Sequence, residues 1–291
     1  MHLIIPWDRP DSARECFHRD GFVVMEAALT PDECRWARDR LAGLFTGRFP
    51  TGSYPDEWYW REGLSRPDAT RHMSNAWKSD QLIASIVQAP WVGDWIAYLN
   101  GWPRTRLGQD TIWIKPPLAR PSSLHQDNSF IDFLAPATMS TCWMTFDDTH
   151  ADAATIEYVP GSHLWPTAPL PADFHDPGDH RARMRASAAA AGVADPAVVQ
   201  LEVPAGTIVF HDGNVWHGAA GSQRTGAAWR HTLAAHLLPA DARFTTAPGG
   251  YIYRRYQLPD DDGLHDAFFP AYPPPDPRPG RPSFSILTAH S

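Results

Sequence analysis

The chain has 291 residues, 43% apolar and 20% charged, which is a globular composition and excludes a disordered one. A formal net charge of −8 argues against a phosphate-binding groove and so against a nucleic-acid partner. Twenty-nine prolines, about twice ordinary usage, disfavour helical bundles and favour strands and loops. Residues 12–19 read as a short amphipathic helix ended by Asp20-Gly21, and Phe22-Val23-Val24-Met25 as a strand. Thr30-Pro31-Asp32-Glu33 joins a capping threonine, a proline at the first helical position and acids in the first turn. The helix it opens runs to Phe45 with Cys34, Ala37, Leu41 and Leu44 on one face. Residues 47–71 read as a long aromatic-rich surface excursion, and residues 80–99 as another helix.

After Gly101 the texture changes to short strands at 106–115, 138–146, 155–159, 199–203, 207–211 and 229–238. Residues 164–197 form an insertion with a helix near 181–191, and a Pro-rich covering tail follows Pro248. Helices then strands, without βα alternation, predict an α+β fold: an antiparallel barrel or jelly-roll core with N-terminal helices packed against it and loop insertions. The chain reads as a single domain over 1–291, with a mostly helical part at 1–103, the β core at 104–240 and the tail at 241–291. Cys16, Cys34 and Cys142 are scattered without a C-x-x-C, suggesting neither a disulfide framework nor a thiolate zinc site. The first apolar run is short and interrupted by Pro6, and no run nears the ~18 apolar residues of a bilayer span. The expectation is a cytoplasmic protein with no membrane partner; no repeat or heptad speaks for an oligomeric state.

His125-Gln126-Asp127 places an imidazole and a carboxylate two residues apart, on one face if the triplet is a strand. That pair suits two ligands of a 2-His-1-carboxylate iron site, which leaves coordination positions open. The same spacing at His18–Asp20 and His150–Asp152 reads as a helix end and a turn, both solvated. A third ligand must come from a distant strand, and both His217 and His211 are candidates.

Three segments, LHQDNSF at 124–130, YVPGSH at 158–163 and PAGTIVFHDGNVWHG at 204–218, occur in the order found in one enzyme family. Together with FHRDGFVVMEAALTPDE at 17–33, they resemble the phytanoyl-CoA dioxygenase-like family of Fe(II)/2-oxoglutarate oxygenases. The resemblance covers most of 14–238 and implies a double-stranded β-helix with His125, Asp127 and His217 as iron ligands. It favours His217 over His211 because the family's distal histidine precedes a glycine. It also selects Arg230, on a strand, over Arg224, in a turn, to receive the far carboxylate of 2-oxoglutarate. Thr232 shares that strand face and could assist. On the 106–115 strand Gln109, Thr111, Trp113 and Lys115 share an unusually polar face. Gln109 and Lys115 are therefore candidates for the carboxylate or keto end, the alternative being a solvent-facing rim. Trp143 falls where the family packs a tryptophan on the cosubstrate, the alternative being a core aromatic.

Because Asp127 is present, oxygen insertion is favoured over halogenation. The family's glycine-rich turn is altered to Ala153-Ala154-Thr155, a change expected to affect the loop and not the iron site. The implied activity is hydroxylation of an unactivated C–H bond of a small metabolite, with release of succinate and carbon dioxide. Desaturation, cyclisation or epimerisation by the same chemistry is the alternative, and a non-catalytic metal-binding jelly roll the second. Asn128, Phe130, Arg71, His72 and Asn75 are further pocket candidates, and the arginines of Tyr251–Tyr256 would suit an acidic or carboxylated substrate.

Overall fold

The computed structural model describes residues 4–170, 174, 178–225 and 229–283. Residues 1–3 of the N-terminal run, parts of the 164–197 insertion and residues 284–291 of the tail lie outside the described residues. The first helix, Pro10–Asp20, starts on a proline and ends at Gly21, whose φ of +81° is one that side chains other than glycine's resist. The second, Pro31–Phe45, is held by the expected capping box: Thr30 N–H donates to Glu33 (2.7 Å) and Glu33 N–H to Thr30 Oγ1 (3.3 Å).

The helix expected over 80–99 is two helices, Gln81–Val87 and Pro90–Asn100. Pro90 has no N–H to continue the first and opens the second. Together these twenty residues match a membrane-crossing helix in length and mean hydropathy (1.2). They are mostly buried, with Ile83, Trp95 and Ile96 in the main core, so they form a core helix pair.

Two sheets face each other. The larger has eight strands in the order Ile4–Ile5, Phe22–Met25, Ile208–Asp212, Ser140–Thr145, Arg230–Pro239, Thr105–Lys115, Arg71–Ser74, Glu57–Trp58. The smaller has four: Val199–Gln200, Ile156–Tyr158, His217–Ala219 and Ser122–His125. Every pairing in these sheets except that of the first two strands of the larger is antiparallel.

Side-chain alternation along the strands explains the layers. Ile112, Ile114, Cys142, Met144, Leu233 and Ala235 point to one side of the large sheet, where they pack with the N-terminal helices. Their neighbours Thr111, Trp113, Thr141, Trp143, Thr232 and Ala234 point to the other side and line a cavity. The polar face on the Thr105–Lys115 strand is therefore a cavity wall and not a solvent rim. Asp110, on the helix side of that strand, is buried and accepts from the backbone N–H groups of Ala76 and Trp77 (3.1 and 3.0 Å).

Several strands escaped the sequence reading: Ser122–His125, His217–Ala219, Arg71–Ser74 and Glu57–Trp58, the last inside the expected surface excursion. The insertion helix is Ala182–Ala190, and the tail contributes one helical turn, Tyr251–Arg254. All three cysteines are buried and free. In the altered turn Ala154 is buried with φ +55°, so alanine occupies a left-handed position.

Candidate active site

The cavity between the sheets has a volume of about 490 Å³. At its centre His125, Asp127 and His217 bring one ligand atom each to within 4.8 Å of one another. His125 and His217 are directly opposed partners in the small sheet, so both rings leave the same face. Asp127 is not on that strand. The strand ends at His125, and Asp127 begins the short turn Asp127–Phe130, which carries its carboxylate back toward the two rings. The expected face-sharing of the triplet is thus corrected to a strand end followed by a turn.

The second nitrogen of each ring fixes the tautomer. His125 Nδ1–H donates to the Ser123 carbonyl and His217 Nδ1–H to that of Val215, both at 3.0 Å. Each Nε2 then carries a lone pair, and the two approach Asp127 Oδ1 at 3.4 and 3.5 Å. Three acceptors facing one another need a cation between them, and a His₂–carboxylate set suits Fe(II). Burial pushes the His217 imidazole well below its ordinary pKa, which keeps it neutral as a ligand must be.

Asp127 Oδ2 is held from two sides. Thr141 Oγ1 donates to it at 2.9 Å, so the Thr141 oxygen must accept from His236 Nδ1–H at 2.8 Å. His236 Nε2 in turn accepts from Thr111 at 3.0 Å. On the other side His211 Nε2–H donates to Oδ2 at 3.2 Å, and Tyr158 donates to His211 Nδ1 at 2.9 Å. His211, the rival for third ligand, therefore stands behind the carboxylate and outside the three-atom cluster. Burial alone would raise the pKa of Asp127; the imidazoles gathered around it, His217 first and then His125, His211 and His236, outweigh burial and hold it well below the usual carboxylate range. With Oδ2 saturated, only Oδ1 faces the open centre.

Further along the large sheet, Arg230 and Lys115 are register partners and both are buried. Arg230 Nε and Nη1 have no hydrogen-bond partner among the described residues. Lys115 Nζ donates to Arg120 O (3.0 Å) and Ser122 Oγ (2.9 Å). Burial lowers the Arg230 guanidinium to about 10. It also lowers the Lys115 ammonium well below its ordinary value, with Arg230 adding repulsion. A dicarboxylate would relieve both, so the residues present fit 2-oxoglutarate as well as iron. Thr232, Trp143 and Gln109 also line the cavity, Gln109 opposite His236 near the middle of the strand that ends at Lys115.

Not every candidate converges. Phe130 and His72 line the cavity, whereas Asn128 accepts from Met139 N–H (2.8 Å) and Asn75 donates to Asp56 (2.7 Å). Arg71 lies over the Trp60 and Trp229 rings. Arg224 pairs with Asp152 (2.7 Å) on the surface. Thr141 and Tyr158 were missed as site residues. The alternation in Ser140–Thr145, which puts Thr141, Trp143 and Thr145 on one face, held the signal for the first.

The family model for phytanoyl-CoA dioxygenase (PhyH) matches residues 17–232. No curated protein sequence matches the chain. Among solved structures, the non-heme alpha ketoglutarate dependent carbocyclase SnoK from nogalamycin biosynthesis aligns with a TM-score of 0.68 at 20% identity, over 90% of this chain and 96% of its own. The epimerase SnoN, from the same biosynthesis, aligns at 0.66 and 18% identity, over 90% of this chain and 98% of its own. EctD from S. alaskensis, solved with 2-oxoglutarate and 5-hydroxyectoine, aligns at 0.65 and 17%, over 93% and 84%. At these identities the likeness is one of fold. The matched family segment takes in the His-Asp-His cluster and Arg230, and the chain belongs to the phytanoyl-CoA dioxygenase family of Fe(II)/2-oxoglutarate-dependent oxygenases.

Proposed function

We propose that the protein hydroxylates an unactivated C–H bond of a small-molecule metabolite, converting 2-oxoglutarate to succinate and carbon dioxide. The observation that carries this reading is Arg230: a buried guanidinium with two unpartnered nitrogens, lining the same cavity as the His-Asp-His cluster. A purely structural metal site has no use for such a group.

In this reading His125, Asp127 and His217 hold Fe(II), which together with 2-oxoglutarate and dioxygen supplies the decarboxylation and the C–H oxidation. Arg230 receives the far carboxylate as a fork, with Thr232 and Lys115 beside it. Gln109 lies six residues from Lys115, roughly 20 Å along the strand at about 3.3 Å per residue. That span exceeds the length of a five-carbon diacid, so Gln109, level with His236, does not share the carboxylate that Lys115 meets. Trp143 packs against the cosubstrate chain and excludes water from it.

The test is oxygen-dependent succinate release by protein reconstituted with Fe(II) and 2-oxoglutarate, across a metabolite panel. His125→Ala or Asp127→Ala should abolish release, and Arg230→Met should raise KM for 2-oxoglutarate by ~10–100-fold, as loss of a charge-assisted contact implies. Full activity of the Ala variants in added iron would overturn the ligand assignment. A product heavier by one oxygen marks hydroxylation, and one without it marks desaturation, cyclisation or epimerisation.

A further inference from the structure

We propose that the outer part of this cavity selects a substrate carrying a protonated amine on a flat, largely apolar framework, with Glu57 as the counter-ion. The proposal rests on the cavity being the oxygenase's substrate site.

Charge on the lining is divided by depth. Lys115 and Arg230, the two lysine or arginine side chains among the described lining residues, are register partners on neighbouring strands and serve the cosubstrate end. Besides Asp127, which belongs to the metal cluster, the acidic side chain in the described lining is Glu57. It sits on the edge strand of the large sheet, paired to Ser74.

Glu57 differs from its neighbour Asp56. Asp56 has basic partners, Lys78 at 2.7 Å and Arg255 at 3.6 Å. Among the described residues Glu57 has none: it accepts from the hydroxyls of Tyr59 (2.8 Å), Ser74 (2.7 Å) and Tyr251. Hydroxyl donors occupy a carboxylate's lone pairs without bringing a compensating positive charge. A half-buried anion on a cavity wall repels carboxylates and attracts cations.

The arginines that suggested an acidic substrate are committed elsewhere. Arg254 donates to the carbonyls of Gly249 (3.0 Å) and Thr245 (2.9 Å) and to Gln257 (2.9 Å), and Arg255 faces Asp56. Neither lines the cavity.

The walls beside Glu57 are aromatic. Tyr59 stacks on His72 with centroids 5.4 Å apart and planes at 14°, and His72 lies 4.2 Å from Trp113. Tyr251 adds its ring beside Glu57, and Phe174, 5.9 Å from Trp113, carries the aromatic wall inward toward His125. Flat faces of this kind pack a planar framework, and Trp and Tyr rings add a cation–π attraction for an ammonium.

The experiment uses three probes on one tricyclic framework: 9-(aminomethyl)anthracene, 9-(hydroxymethyl)anthracene and anthracene-9-carboxylate. The protein is first loaded anaerobically with Fe(II) and 2-oxoglutarate, and the absorption band of that complex is recorded. Probe binding is then read from anthracene fluorescence anisotropy, for wild type and for Glu57→Gln. The amine should bind ~10-fold or more tightly than the carboxylate, a modest demand for opposite against like charge near a half-buried carboxylate, with the alcohol between. Glu57→Gln should remove most of that ratio. A carboxylate that binds as tightly as the amine, no amine binding at millimolar concentration, or a ratio unchanged in Glu57→Gln would each overturn the proposal. The wild-type ranking decides the matter even if the variant fails to fold. Absence of the Fe(II)/2-oxoglutarate band would instead refute the reading of the site itself.

Discussion

Replacing Thr141 with valine keeps shape and β-branching but deletes the hydroxyl that donates to Asp127 Oδ2 at 2.9 Å. Its oxygen is also the acceptor for His236 Nδ1–H at 2.8 Å, so the change silences the whole arm from Thr111. A hydrogen bond to a charged group contributes about 1.5–3 kcal/mol, and each ~1.4 kcal/mol is tenfold in affinity. His211 still donates to the same oxygen, so the carboxylate is loosened and not freed. Fe(II) affinity should therefore fall by ~10–100-fold, the usual effect of losing a group that orients a ligand. Anaerobic calorimetric titration with Fe(II) measures it directly, and Thr141→Ser should restore most of the loss. His236→Phe should also weaken binding, and the double variant should be non-additive by more than ~0.5 kcal/mol because the residues act in series. If Thr141→Val bound Fe(II) as tightly as wild type while only its melting temperature fell, the arm would be structural and the argument would be refuted.

Two further outcomes follow from the same sheets. A Cβ on Gly218 would lie 2.9 Å from the backbone N and Cα of Leu124, so Gly218→Ala should part the strands that carry His217 and His125. The same titration should show weakened Fe(II) binding, and an unchanged affinity would contradict the close approach. Glu157, whose side chain is buried, is desolvated, yet hydrogen bonds from His180 and Arg181 outweigh that and lower its pKa from 4.5 to about 2. A depressed folded-state pKa gives stability present above pH 4.5 and lost as pH falls toward 2, here about 3 kcal/mol. Urea midpoints at neutral and acid pH should show this loss in wild type and a flatter profile in Glu157→Gln; parallel profiles would assign the acid sensitivity elsewhere.

How much could be read from residues alone depended on how locally each feature is encoded. The capping box at Thr30–Glu33 and the stop at Gly21 lie within a few residues and were legible. So was the two-faced strand Thr105–Lys115, because alternation with a polar inner face is a period-two signal. His125 and Asp127 were legible as a pair, but not the turn between them: spacing reports a separation, and only the end of the Ser122–His125 strand decides which way Asp127 points. Choosing His217 over His211 needed a resemblance, since the two differ by which sheet each strand joins. The hydroxyl–imidazole arms behind Asp127 were invisible because Thr141 and His236 are 95 residues apart. Glu57 was hidden for the same reason: its partner Tyr251 is 194 residues away along the chain.

The pairing of Arg230–Pro239 with Thr105–Lys115 runs through ten registered positions, while Glu57 and Tyr251 stand on short elements at the margin. The cosubstrate end is thus built into the longest ladder of the protein, where a slip of one residue would invert every side chain. The proposed recognition end hangs on a two-residue strand and one short helical turn. A lineage carrying this scaffold can exchange the molecule it oxidises by redrawing the rim, without renegotiating how oxygen is activated, and the same partition tells an engineer where to mutate first.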